Sequence, residues 1–255
     1  LDIVYDNRMP LRRSVLRRAV LLEKGQLYST SEVERTYAEL TSLGYFRSAK
    51  ISFRELPQRV EHVDTIRVDD FDGEQTIVQR STEGLLACDI LCTPTLKQSA
   101  TIELEGSTTS SFYGLKATVG YQNRNIFRGA EMLEITGTAG YEYMKAPNSK
   151  KRHAMEFGVA ASLSFPRFLL ANYAIKSGTI APKTKFEISY NYQDRPYYQR
   201  DLSSISWVYS CRNKTNSSFV IRPIGINWVN VSYINQDYFN SLQNQYLKHS
   251  FESQL

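Results

Sequence analysis

The sequence predicts an α+β module followed by an antiparallel transmembrane β-barrel, of which this chain carries the N-terminal strands. Three observations predict it. Apolar residues recur at helical spacing in the first part of the chain, hydropathy alternates with a period of two from Ala100 onwards, and tyrosines collect at the ends of the alternating runs. The 255 residues are 42% apolar and 22% charged, with 13 Gly and 8 Pro, which excludes a disordered tail, a collagen-like chain and a disulfide-dense miniprotein. The longest apolar run, Phe157 to Ala161, is far short of the ~18 residues that a membrane helix needs. A membrane β-barrel remains open, because alternating strands keep hydropathy low.

Residues 1 to about 97 read as the first domain, with a strand, two helices and two further strands. Leu11, Val15, Leu16, Ala19, Val20 and Leu22 form one apolar stripe behind Pro10, with Arg12, Arg13, Arg17 and Arg18 as its solvated face. Ser29 and Glu32 have the spacing of a capping box, which opens a second helix along Val33, Tyr37, Leu40 and Leu43. Gly44 supplies its left-handed stop. Lys50 to Phe53 and Leu86 to Cys92 alternate as strands, and the polar stretch Gln58 to Glu83 between them is either a long hairpin excursion or a mobile loop.

Residues 98–255 form the second domain, with seven alternating runs. Ala100, Ile102 and Leu104 start the first; Leu115 to Tyr121, Leu133 to Tyr143, Met155 to Phe165, Phe186 to Tyr192 and Ile205 to Tyr209 follow, and Phe219 to Tyr233 is less regular. An eighth run could begin at Phe251 to Leu255. The runs match tilted membrane strands of ~9–11 residues, and Tyr-rich ends suit an interfacial aromatic girdle. A soluble sandwich alternates too, with shorter strands of ~5–6 residues. A membrane barrel needs 8 or more strands, so seven or eight would leave it incomplete in this chain.

Chemistry-bearing clusters are sparse. Cys88, Cys92 and Cys211 are odd in number and form no disulfide framework; Cys88 and Cys92, on one face with Leu86 and Ile90, read as buried thiols, and His62, His153 and His249 have no metal-ligand spacing. No metal, no cofactor and no catalytic residue is expected, since no nucleophile–base pair or phosphate loop appears. Glu103 and Glu105 share a strand face, for which lumen lining suffices. The net charge of +5 is scattered apart from Arg12, Arg13, Arg17 and Arg18 and a loop tip at Lys150, Lys151 and Arg152, so no nucleic-acid partner is expected. The sequons at Asn213, Asn216 and Asn230 are chance matches if the protein is bacterial.

The order of parts resembles the BamA/TamA outer-membrane assembly superfamily, the bacterial surface antigens of Gram-negative bacteria. Its periplasmic POTRA module (polypeptide-transport-associated) resembles the run from Tyr28 to Gly44, Tyr45 and Phe46, followed by the strand Ala49 to Phe53. Gly120 to Gly129, with Asn123, Asn125 and Phe127, looks like the turn between the second and third barrel strands of that family. Phe165, Pro166 and Arg167 look like the turn after the fourth. Thr93-Pro94 leading to Glu103-Leu104-Glu105 is most similar to TamL-type members of Bacteroidetes. Read without the resemblance, Gly44-Tyr45-Phe46 is an ordinary helix stop, and Asn123, Asn125 and Gly129 are turn residues that tolerate left-handed backbone.

The resemblance implies an outer-membrane protein that inserts, folds or translocates unfolded client proteins, with its N-terminal domain in the periplasm. Its partners would be the lipid bilayer, outer-membrane clients and a periplasmic or inner-membrane assembly partner. Clients would add to an open sheet edge by β-augmentation, and the barrel would open sideways at its first strand, here Ala100, Ile102, Leu104 and Gly106. The Thr/Ser-rich stretch Ser107 to Ser111 is either part of that weakly specified edge or a polar hairpin loop. The rival readings are a passive pore or passenger-specific secretion conduit, and a soluble β-rich binding protein.

Overall fold

The computed structural model describes residues 2–5, 10–70, 73–110, 112–144, 153–169, 179–213 and 217–235, with backbone alone within 58–83 and at 179–180 and 213. Among the described residues two helices precede nine strands, all paired within two sheets. Contacts divide the chain into two compact units: Leu1–Phe46 with Pro94–Leu255, and Arg47–Thr93.

In the first unit, helix α1 spans Arg13–Ala19 and helix α2 spans Thr30–Ser42. Leu11, Val15 and Ala19, four residues apart, are buried along one line of α1, whereas Val20 is already extended, so the predicted stripe outlasts the helix. The Leu21 N–H donates to Thr36 Oγ1 (3.2 Å), fixing the chain after α1 to the buried side of α2. The capping box at Ser29 and Glu32 does not form. The Ser29 carbonyl accepts from both Glu32 N–H and Val33 N–H at 3.1 Å, so the Glu32 N–H that the box assigns to the hydroxyl is already engaged. Gly44 ends α2 at φ +66, as the stop requires. No strand precedes α1 among the described residues; Asp2 to Tyr5 have no ladder partner.

Seven strands complete this unit: β3 (Gln98–Thr108), β4 (Phe112–Asn123), β5 (Met132–Met144), β6 (His153–Phe165), β7 (Thr179–Asp194), β8 (Tyr198–Asn213) and β9 (Ser218–Ile234). They form one sheet in sequence order, every neighbouring pair antiparallel. The seven runs predicted from Ala100 onwards are these strands. The helices pack at the end of the sheet where β4 joins β5, so the compact units do not divide at residue 97. Most buried apolar side chains lie there, including Leu11, Val15, Leu40, Ala130 and Phe168. The loop tip at 150–152, Asn216 and the run 251–255 lie outside the described residues.

The second unit is built from β1 (Phe46–Asp70) and β2 (Gly73–Pro94), paired as a two-stranded sheet. Of the two readings of 58–83, the backbone follows the excursion: it is strand on both sides. Arg54 and Asp89 pair across it at 2.9 Å. Cys88 is exposed and Cys92 half-exposed, so neither is the buried thiol that the alternation predicts. Leu86, on the face of Cys88, is exposed as well, because a two-stranded ribbon has no layer to cover it.

Candidate functional surfaces

The register of the seven strands sorts the side chains into two faces, since directly paired residues point the same way. Ala100, Tyr121, Ile135, Ala161, Ile188, Ile205 and Ile226 make one cross-strand row. Ile102, Val119, Gly137 and Val159 make the next. The opposite face carries Glu134, Thr136, Thr138, Glu156, Ser189 and Asn191.

Burial through β4 to β7 runs opposite to that of a soluble sheet. Val159 is 58% and Ile188 56% exposed, with Leu115, Ile135 and Phe157 exposed beside them. Their polar neighbours in sequence, Glu134, Glu156, Gly158 and Asn191, are half-buried. Polar groups on that second face satisfy one another. Gln122 donates to Glu134 (2.8 Å), Ser162 to the same carboxylate (3.2 Å), Asn191 to Glu156 (2.9 Å) and Ser206 to Glu187 (3.0 Å). Arg195 pairs with Glu142 at 3.1 Å.

The apolar face ends in aromatic rims. Phe165, Phe186, Trp207, Tyr209 and Phe168 form a continuous chain of ring contacts at 5.3–6.2 Å at the helix end. Tyr113, Tyr141 and Tyr143 mark the other end, paired in register across β4 and β5 or, for Tyr141, stacked on His153.

Strand β3 is an edge of the sheet, bonded to β4 alone among the described residues. Ala100, Ile102, Leu104 and Gly106 sit on its apolar face opposite Tyr121, Val119, Ala117 and Leu115, and Ile102 and Leu104 are 74% and 75% exposed. Ser107 and Thr108 remain in the ladder, and Thr109 closes the turn by accepting from and donating to Phe112 (3.1 and 2.9 Å).

At the helix end the turn residues do more than reverse the chain. Asn125, 3% exposed, donates from its amide to the Pro10 carbonyl (2.9 Å) and accepts from the Ala130 N–H (3.1 Å). Its own N–H donates to Asn123 Oδ1 (3.1 Å), and the Arg12 N–H donates to the Arg128 carbonyl (2.8 Å). The left-handed positions of this turn are Arg128 (φ 64) and Ala130 (φ 60), not Asn or Gly. The Gly129 N–H donates to Glu131 Oε2 (2.8 Å), and a Cβ at Gly129 would meet that carboxylate and make it shift. Phe127 is exposed.

After β6, Pro166 and Arg167 turn the chain back onto β7. The fully buried Thr184 donates to the Arg167 carbonyl (2.7 Å) and accepts from the Leu169 N–H (3.0 Å), while the Tyr209 hydroxyl donates to the Leu169 carbonyl. Farther along, Ala181 adopts φ 53 at a bulge in β7 and donates its N–H to Glu39 of α2 at 2.8 Å. Burial pushes the Glu39 carboxyl above its ordinary value, with the Ala181 N–H and Arg35 opposing. Gly44 and Tyr45 lie between α2 and β1, and Phe46 opens β1: Tyr45 is buried, its carbonyl accepts from Thr95 N–H (2.9 Å), and its ring meets Phe46 edge-on at 5.4 Å.

Local patterns in the sequence carry no sign of Glu39, Glu131 or Thr184 as site residues, nor of the Pro10 carbonyl as the partner of Asn125, because their partners are remote or a single backbone group. Among the described residues no group of three His, Cys, Asp or Glu could hold a metal ion. Comparison with models of known protein families and with curated proteins returned no match.

Proposed function

We propose that this protein acts in the bacterial outer membrane as an assembly or insertion factor for unfolded client proteins. In this reading β3–β9 are N-terminal strands of a transmembrane barrel, and the helices with the β1–β2 ribbon are its POTRA-like periplasmic part. The observation that carries it is the reversed burial of β4 to β7: Ile, Val, Leu and Phe side chains there are exposed, and Glu, Asn, Thr and Ser are half-buried. A soluble monomer rarely exposes a contiguous apolar patch above about 300–600 Å². A face running across seven strands exceeds that by far, and a bilayer would cover it.

Strand length supports the same reading. Strands of 11 residues (β3) to 17 (β9), at ~3.4 Å per residue and ~40° of tilt, rise about 28–45 Å, which spans a hydrocarbon core and its headgroups. The polar face would then line a wet lumen, its carboxylates bonded to Gln, Ser and Asn. Client recognition would use main-chain pairing at the β3 edge, which needs no dedicated catalytic side chain. The chemistry proposed is therefore non-enzymatic.

The experiment is extraction and gel migration of the full-length protein. Expected are detergent dependence and a folded band that shifts on heating, as closed membrane barrels give. A monomer that stays in solution without detergent would reject the membrane reading and favour a β-rich binding protein.

A further inference from the structure

We propose that the groove between α2 and the β7–β9 part of the sheet binds an extended peptide segment of a partner protein, with acidic residues at alternate positions. This goes beyond the assembly reading and does not rest on it, because the groove is the same whether or not a bilayer covers the apolar face.

The groove has a volume of about 400 Å³ and two walls of different chemistry. Ala38, Thr41 and Ser42, from the end of α2, make one wall; Lys183 of β7, Ser210 and Arg212 of β8 and Val220 of β9 contribute to the other. The bond from the Ala181 N–H to Glu39 (2.8 Å) ties the helix wall to the strand wall. Lys183 is paired in register with Ser210, and Ser210 with Val220, so these three side chains share a face. Lys183 and Ser210 each stand four residues from the bonded pair Glu187 and Ser206, which places them on the polar face of the sheet.

Charge selects an acidic ligand. No Asp or Glu lines the groove among the described residues, and the neighbouring Glu39 is engaged by the Ala181 N–H and lies within electrostatic reach of Arg35. Lys183 and Arg212 are exposed and form no ion pair or hydrogen bond among the described residues. The C-terminal end of α2 carries about half a negative charge and offsets only part of these two. Position argues against a lipid, since the groove opens on the face opposite the exposed Ile and Val side chains.

Spacing and hydrogen bonding select a peptide over a free anion. Lys183 and Arg212 are diagonal neighbours on paired strands, about 7–8 Å apart along the backbone. Carboxylates two residues apart on an extended chain have nearly the same separation, about 7 Å, and meet both cations in place. The Thr41 and Ser42 hydroxyls donate to the Tyr37 and Glu39 carbonyls (both 2.8 Å), which leaves their oxygens as acceptors. A peptide backbone supplies N–H donors to those oxygens; a free anion supplies none.

The test is fluorescence anisotropy of labelled nine-residue peptides with the full-length protein in detergent. One peptide alternates Asp with Thr, a second has the same residues in two blocks, and a third replaces every Asp by Asn. The alternating peptide should bind best, and the Asn peptide should not bind. At a factor of about two to five for each exposed ion pair, K183Q/R212Q should weaken the alternating peptide about tenfold, with the circular dichroism spectrum unchanged. Ala38→Trp, which fills the groove without altering its charge, should weaken it at least as much. Equal binding of the blocked or Asn peptide, or unaltered affinity in either variant, would overturn the proposal. Inorganic phosphate competing as well as the peptide would also overturn it, in favour of a simple anion site. Loss of peptide binding by wild type with the heat-shifted band present would reject the groove and leave the membrane reading standing; binding without that band would do the reverse.

Discussion

The side-chain amide of Asn125 donates to the carbonyl of Pro10 at 2.9 Å across 115 residues of sequence. The same side chain accepts from Ala130, a residue with φ 60, so one buried group fixes both a strained turn and the entry to α1. Left-handed alanine is unfavourable by about 1–2 kcal/mol, and the hydrogen bonds of the turn offset it. The coupling makes Asn125 a joint between the helices and the sheet.

Asn125→Ala should destabilise the helix end by about 2–4 kcal/mol, because it leaves the Pro10 carbonyl and the Ala130 N–H without their partner. Hydrogen exchange of the α1 amides should rise in this variant while those of β4 to β6 stay protected. Asn125→Asp keeps an acceptor for Ala130 but loses the donor to Pro10, so it should loosen α1 as well. Unchanged exchange in both variants would mean that apolar packing alone holds α1.

Glu39 gives the docking of α2 a pH dependence of definite sign. Its folded carboxyl titrates above the ordinary 4.5, through burial against the opposing effects of Ala181 and Arg35. The folded state thus keeps the proton in a window where the unfolded chain has lost it. The contribution is fullest below the unfolded value and falls as pH rises through the folded one. Glu39→Gln retains an acceptor for Ala181 and should flatten this part of the profile between mildly acidic and neutral pH. Thermal melts of the two proteins across that range compare directly, and parallel profiles would show that Glu39 is uncoupled from folding.

Charges placed on the two faces should separate water from lipid as the surroundings of the sheet. Val159→Arg and Ile188→Arg alter exposed side chains, so in water they should cost within about 0.5 kcal/mol. Facing the middle of a bilayer, each should cost about 2–4 kcal/mol. Ala160→Arg, exposed on the polar face between them, is the matched control and should be tolerated in either case. Equal tolerance of all three in urea titrations from bilayers would remove the lipid-facing assignment.

Orientation follows if the helices are periplasmic. The β3–β4 connection at Ser110 and the turn at Phe127 lie at opposite ends of β4. With Cys88, Cys92 and Cys211 changed to Ser, Ser110→Cys should react with a membrane-impermeant maleimide in intact cells, and Phe127→Cys only after lysis. The opposite pattern would put the helices outside the cell.

What was legible in the sequence is what repeats. Alternation with period two marked all seven strands of the sheet, since face and register follow from Ile, Val and Glu recurring over a dozen residues. Single-residue geometry was not legible. Asn125 was visible as a turn residue but not as a clamp, and Glu39 was one charge on an amphipathic helix until Ala181 met it from β7. The Ser29–Glu32 spacing was present and the cap was not, because the Glu32 N–H bonds the Ser29 carbonyl instead of its hydroxyl. Cysteines 88 and 92 alternate as core residues do, yet a two-stranded ribbon has no core to bury them in.

A covalent lock at the first strand should distinguish an assembly factor from a passive conduit. If clients enter by pairing with the β3 edge, that strand must separate from the strand that closes the barrel. Each backbone hydrogen bond across such a seam contributes only about 0.5–1.5 kcal/mol net, so a short seam opens at modest cost and a disulfide does not. Cysteines at Ile102 or Leu104 and at the facing position of the closing strand would supply that lock, in the same Cys-free background. The oxidised protein should fold and show the heat-shifted band, yet fail to assemble clients until it is reduced. A conduit that passes its passenger through the lumen keeps its full cross-section under the lock and should work oxidised. Full activity of the locked form would therefore reject lateral opening and transfer the assignment to a secretion pore.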